Sequence, residues 1–269
     1  MKRTFVVGDV HGCFRELMLL LEKIQYNENQ DRLIFAGDLV DRGPDSAKVV
    51  RWVREASVRT NNLTTCVLGN HDDKHFRWFK HMLKKREYPN YRIPMRPFST
   101  DKLIAHNAMS DEDLEFLGTL PVFIHLDSQD WVVVHAGLEP RKTLDKQDNG
   151  KLTHIRFLNP TTMRPVSLGD DLMPPPGSIY WTDCYDLPHH VVYGHNVHDL
   201  ESPRVVKKEH GAQLVGLDTG CVFGGALTAF RVPDTREEQV TPEHFVSVSA
   251  SRSYSRSVLM PGTEPIAKD

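Results

Sequence analysis

The sequence predicts an α/β fold built on two sheets, and three observations carry that prediction. Short β-branched and apolar runs recur at TFVVGD (4–9), RLIFAGD (32–38) and TTCVLGN (64–70), each closing on a glycine and a polar residue. Stretches with apolar residues three and four apart fill both gaps between them. The second half then changes style, with apolar runs at WVVVHAG (131–137), HVVYGH (190–195), LVGLD (214–218) and ALTAFRV (226–232) and no long helical stretch between them. That pattern predicts a second sheet beside the first.

Taken in order, the first run should be a buried strand, and FRELMLLLEKI (14–24) a helix with one apolar face. PDSAKVVRWVREA (44–56) repeats that spacing, with Pro44 suited to a first helical turn. Strand, helix, strand, helix, strand implies parallel pairing through right-handed crossovers, and in such sheets ligands collect at the carboxyl ends of the strands. Residues 72–86 are expected to be helical, EYPNYRIPMRP (87–97) a proline-broken loop, and SDEDLEFLGTL (110–120) a helix capped by Ser110 with acids in its first turn. The basic and aromatic residues of HFRWFKHMLKKREYPNYR read as an amphipathic helix and loop, with a base-stacking wall the sharper alternative. Residues 138–178 contain KQDNGK and MPPPGS and should form a mostly irregular cap over the site. From Val248 the chain is biased to Ser, Arg and Pro. We expect one domain over 1–247 and a disordered or surface-draped tail over 248–269.

Composition narrows the function. The 269 residues carry a formal net charge of -3, so nothing global draws the protein to nucleic acid or an anionic membrane, and no stable nucleic-acid partner is expected. An anionic substrate must be met by local charge. The cysteines at 13, 66, 184 and 221 form no C-x-x-C pair, which fits a reduced, cytoplasmic compartment. No window reaches the roughly 18 apolar residues of a membrane span, and the apolar run before Asp9 is too short for a signal segment.

The strand ends carry the chemistry. GDVHG (8–12), GDLVDRG (37–43), GNHD (69–72), VHAG (134–137) and YGHN (193–196) each place Asp, His or Asn where a strand gives way to a loop. Oxygen and imidazole donors converging from several loops suit a two-metal centre, in which a bridging carboxylate holds two dications about 4 Å apart. With no thiolate among them, Mn²⁺, Fe or Zn²⁺ fits better than copper.

These five motifs, in this order, resemble the calcineurin-like metallophosphoesterases and their phosphoprotein phosphatase branch. The resemblance spans residues 8–196 and implies a two-sheet sandwich flanked by helices around two divalent metal ions. It implies that Asp9 and His11 bind one metal, that Asp38 bridges both, and that Asn70, His135 and His195 bind the other. His71 would be the general acid that serves the leaving group, oriented by Asp41, while Arg42 clamps phosphate oxygens. Arg156 in KLTHIRFL is the expected second arginine of that clamp, with Arg164 the alternative. A hydroxide bridging the metals would attack phosphorus in line.

GNHD and the ending GLDTGCVFGGALTAFRVPD (216–234) resemble the diadenosine-tetraphosphatase-like phosphatases more than the Ser/Thr protein phosphatases, which usually read GNHE. Asp41, by contrast, is the residue protein phosphatases have at that place. The expected function is therefore hydrolysis of a dinucleoside polyphosphate, and protein dephosphorylation is the second reading. Polyphosphate or RNA-cap hydrolysis and a non-catalytic scaffold stand behind. Asp72 is expected to be a first-turn acid or a partner behind the ligands. His75, four residues after His71, reads as an ordinary helix-surface residue, with a place behind the ligands the sharper alternative, and His106 and His154 read as structural.

Overall fold

The computed structural model describes residues 3–169 and 173–255. Strands β1 (Thr4–Val7), β2 (Arg32–Phe35) and β3 (Thr64–Cys66) are parallel, and β12 (Ala226–Arg231) and β13 (Phe245–Ser249) extend the sheet antiparallel beyond β1. In the second sheet β5 (Trp131–Val134), β9 (His190–Tyr193) and β11 (Gln213–Gly216) are parallel, edged by β4 (Phe123–Leu126) and β10 (Arg204–Lys207). The two sheets face each other, as the family resemblance implies.

Period-two alternation explains why both faces of each sheet are apolar. Val6 and Ile34 point inward to meet Trp131, Val133, Val192 and Val215 of the other sheet. Their neighbours Val7, Leu33 and Phe35 point outward, against Leu17 and Leu20 of helix α1 (Phe14–Lys23) and Val49, Val50 and Val53 of α2 (Ser46–Arg59). On the far side, Val132, Val134 and Val191 pack beneath Leu152, Ile155 and Trp181 of the cap. All these side chains are essentially sealed from solvent, so each contributes about 1.5–3 kcal/mol of transfer free energy.

Several boundaries differ from expectation for identifiable reasons. Helix α2 begins at Ser46, so Pro44 precedes it; the Asp45 amide is bonded to the Gly12 carbonyl and the Ser46 hydroxyl to the Asp41 amide, which fixes this turn in the site. Helix α3 (Asn70–Glu87) starts two residues early, because Asp72 accepts the Gly69 amide at 3.2 Å and the Leu39 amide at 3.0 Å. Asn70 and His71 therefore sit in a first helical turn. A helix with no sequence expectation, α4 (Thr100–Ala108), precedes α5 (Asp111–Leu117), which has the expected Ser110 cap. Only His106 of α4 is buried, so its apolar periodicity is weak.

Strands β4, β10 and β13 were also missed, and all three lie at sheet edges with mostly half-exposed side chains. The cap is more regular than expected: it holds α6 (Asn149–Leu152) and a three-stranded sheet of β6 (Phe157–Leu158), β7 (Pro165–Val166) and β8 (Ile179–Tyr180). The boundary expected at 247/248 falls inside β13, and beyond it Ser251 and Tyr254 bond Glu16 of α1. The rest of that expected tail, from 256, lies outside the described residues.

Candidate metal centre

The loops after β1, β2, β3, β5 and β9 meet at the carboxyl ends of these strands and bring Asp9, His11, Asp38, Asn70, His135 and His195 near one another. Asp38 is the hub. Its Oδ1 accepts the His71 amide at 2.9 Å and lies 3.4 Å from His135 Nε2, while Oδ2 lies 3.6 Å from His11 Nε2. The donor atoms of His11, Asp38 and His71 lie within 4.8 Å of one another, and so do those of Asp38, His135 and His195. Two clusters sharing one carboxylate is the arrangement a binuclear centre needs.

The backbone is bent to achieve this. His11, Asp38 and His195 have φ of 44°, 51° and 69°, a region non-glycine residues avoid at a cost of order 1–3 kcal/mol each. Strain at three clustered donors is tolerated where the surroundings over-determine the geometry. Glycines supply the clearance: a Cβ on Gly69 would stand 2.3 Å from Asp38 Oδ1, and one on Gly194 would stand 1.9 Å from Asp9 Oδ1.

Carbonyl partners orient the imidazoles. His11 Nδ1 donates to the Val40 carbonyl at 2.7 Å and His135 Nδ1 to the Ala36 carbonyl at 2.8 Å. Each thereby turns a free Nε2 lone pair toward the site, the usual tautomer device behind a metal-binding histidine. His135 Nε2 lies 3.0 Å from Asn70 Oδ1 and 3.1 Å from His195 Nδ1. Asp9 stands beside the clusters, its carboxylate bound to the His195 amide at 3.0 and 3.1 Å.

Electrostatics also favour cations here. Asp9, Asp38, Asp72 and Asp218 are all buried. Burial, followed by the neighbouring Asp218 charge, pushes Asp9 well above the usual carboxylate range, and burial drives Asp72 up to about 7 and Asp218 to about 6. At Asp38 burial is outweighed by His135 and His71, and the carboxylate is held low. Burial opposes protonation of His135, yet Asp38 prevails and raises it to about 9. A carboxylate that draws a proton onto that lone pair draws a metal cation to the same place. The donor set therefore fits divalent metal ions.

Arg42 and Arg156 flank the clusters. Arg42 Nη1 lies 3.0 Å from His11 Nε2, Nη2 lies 3.4 Å from His71 Nε2, and the guanidinium stacks on Phe223. Arg156 Nε donates to His195 Nε2 at 2.9 Å, whereas Arg164 is exposed on the cap. Asp41 lies 2.6 Å from His71 Nδ1, and the hydrogen bonds from His71 and His75 outweigh burial and hold it well below the usual carboxylate range.

Three residues of the site stand outside the expected set, although His75 was open to a place behind the ligands. His75 is fully buried, not on the helix surface, and its Nε2 lies 2.8 Å from Asp41 Oδ1. Its position one helical turn after His71 was the available signal. Lys102 reaches Asp41 Oδ2 at 3.1 Å from a helix with no motif. Asp218 had a signal, since GLDTG closes an apolar run on a glycine and a carboxylate as the other motifs do. Asp72 bonds two backbone amides and contributes no atom to either cluster, as expected of a partner behind the ligands.

Two cavities flank the clusters. One of about 440 Å³ lies under the cap between Asn70, His154, Arg156, Val166 and His195. The other, about 840 Å³, runs from Arg42 past Ser46, Lys48 and Lys102 to Arg252 and Tyr254. Among the described residues no helix is long and apolar enough to cross a membrane.

Comparison with known proteins agrees with this geometry. A profile of calcineurin-like phosphoesterases matches residues 2–227. The chain is similar to an asymmetrical bis(5'-nucleosyl)-tetraphosphatase PrpE of Oceanobacillus iheyensis, 30% identical over 264 residues, 93% of either chain. The protein of the same name from Bacillus subtilis is 30% identical over 275 residues, covering 95% of this chain and 98% of that one. Among solved structures, a candidate diadenosine tetraphosphatase superposes with a TM-score of 0.68 at 26% identity, covering 93% of this chain and 94% of its own. With its motifs brought together from the strand ends of both sheets and a family profile spanning most of its length, this chain belongs to the calcineurin-like phosphoesterases.

Proposed function

We propose that the enzyme hydrolyses a phosphoanhydride bond in a dinucleoside polyphosphate such as diadenosine tetraphosphate. The observation that carries the reading is the pair of donor clusters sharing Asp38, with an arginine at either side. The names of its relatives support the substrate class, and so do two cavities of unequal size on either side of the centre, which suit a substrate with two arms.

Asp9, His11 and Asp38 would hold one divalent cation, and Asp38, Asn70, His135 and His195 the other, with manganese the proposed metal and Fe or Zn²⁺ compatible with the same donors. When bound, such a pair would lower the pKa of a coordinated water and offset charge developing on phosphorus. The chain's own residues do the rest. Arg42 and Arg156 present guanidinium donors that orient phosphoryl oxygens through charge-assisted hydrogen bonds. The first turn of α3 adds the positive end of its dipole. His71, its Nδ1 proton held by Asp41, offers Nε2–H to the departing phosphate oxygen as general acid. The cap forms one wall of the smaller cavity beside Asn70 and His195.

The test is a parallel assay of the Mn²⁺-loaded protein on diadenosine tetraphosphate, a phosphoserine peptide and inorganic polyphosphate. The dinucleotide should give the highest kcat/KM. A phosphopeptide preferred by more than about tenfold, some 1.4 kcal/mol of barrier, would replace this reading with a protein phosphatase.

A further inference from the structure

We infer that helix α4 and His75 buttress the general acid: Lys102 and His75 are positioning residues that fix the Asp41 carboxylate on which His71 depends. The inference rests on the acid role proposed above for His71.

Asp41 is nearly sealed from solvent, sits at a φ of 72°, and receives three donors. His71 Nδ1 and Lys102 Nζ share Oδ2, at 2.6 and 3.1 Å, while His75 Nε2 takes Oδ1 at 2.8 Å. The hydrogen-bond directions can be followed through the network. A carboxylate only accepts, so His71 and His75 donate to it, His75 from Nε2. The other nitrogen of His75, Nδ1, lies 3.2 Å from His106 Nδ1, so one proton is shared between those two rings. His106, His75, Asp41 and His71 thus form one continuous chain of contacts.

Packing holds the chain in place. Phe98 lies 4.9 Å from the His75 ring and 5.8 Å from that of His106, and the two imidazoles stack at 5.4 Å. Lys102 and His106 are one turn apart on α4, so a single helix supplies both outer supports. Without them Asp41 could rotate about its χ2, a broad torsion, and swing Oδ2 away from His71. The His71 ring would then lose the alignment of Nε2 with the leaving oxygen. A catalytic group needs this second layer because general-acid transfer demands hydrogen-bond geometry in the transition state.

Two readouts separate positioning from mere structural support. The first is substrate-independent: in the Mg²⁺-loaded enzyme, the His71 Nδ1 proton should give a strongly downfield NMR signal that His71→Asn removes. His75→Phe and Lys102→Ala should each shift it upfield or broaden it away, while metal affinity stays close to wild type. The second compares aryl phosphates. Each variant should lose about tenfold in kcat on phenyl phosphate, part of the 10²–10⁴-fold that acid catalysis supplies, and little on 2,4-dinitrophenyl phosphate, whose phenolate departs without a proton. His75→Gln, which keeps a donor near Nε2, and Lys102→Arg should restore most of both. A wild-type proton signal in both His75→Phe and Lys102→Ala overturns the inference. So does an equal loss on both esters, because a distorted site harms them alike. If instead His71→Asn itself shows no leaving-group dependence, it is the acid role that fails.

Discussion

Gly194→Ala puts the packing of the site to a direct test. Gly194 follows β9 directly, one residue before His195, and its φ lies outside the left-handed region, so alanine meets no backbone strain there. The obstacle is contact alone: the added Cβ would stand 1.9 Å from Asp9 Oδ1, whereas real Cβ atoms essentially never come within 3.0 Å. Asp9 must therefore move by about 1.1 Å or its neighbour must yield. It has little room to do so, being buried and bound through both oxygens to the His195 amide. A displacement near 1 Å at a catalytic centre costs on the order of 10²-fold in rate, about 2.7 kcal/mol of barrier. The assay is kcat/KM on the preferred substrate at saturating Mn²⁺, paired with calorimetric metal titration. If Gly194→Ala keeps both full kcat/KM and wild-type metal affinity, the placement of Asp9 in the working centre is wrong.

Asp38→Asn removes the charge common to both clusters, so metal stoichiometry and activity should fall together, beyond the 10–100-fold typical of outer partners; metal content by mass spectrometry checks it. His71→Asn should keep both metals and lose about 10²–10⁴-fold in kcat, and retained turnover would remove His71 from the acid role. Ile34 is fully buried between the sheets, so Ile34→Ala should cost about 2–5 kcal/mol in urea unfolding of the metal-loaded protein. A loss below about 1 kcal/mol would mean the inter-sheet core collapses around the cavity.

Local signals recovered most of the donors because each motif couples a buried strand to a polar residue at its end. A parallel sheet aligns those ends whatever the loops do. Edge strands β4, β10 and β13 left weaker marks, since a half-exposed strand relaxes the demand for apolar residues at every position. The exact start of α3 was decided by Asp72 reaching the amides of Gly69 and Leu39, a contact across 33 residues for the second of these.

The sequence by itself determined the α/β class, the order of the strands that carry chemistry, and the identity of the atoms offered at their ends. Those properties follow from hydrophobic period and short-range turn chemistry. Only the tertiary structure decided that Asp38 belongs to two clusters and that His75 faces inward. It alone brought Lys102, from a helix with almost no apolar face, to the same Asp41 oxygen that His71 contacts. These depend on crossing positions of elements distant in the chain, and one-dimensional spacing carries no term for them.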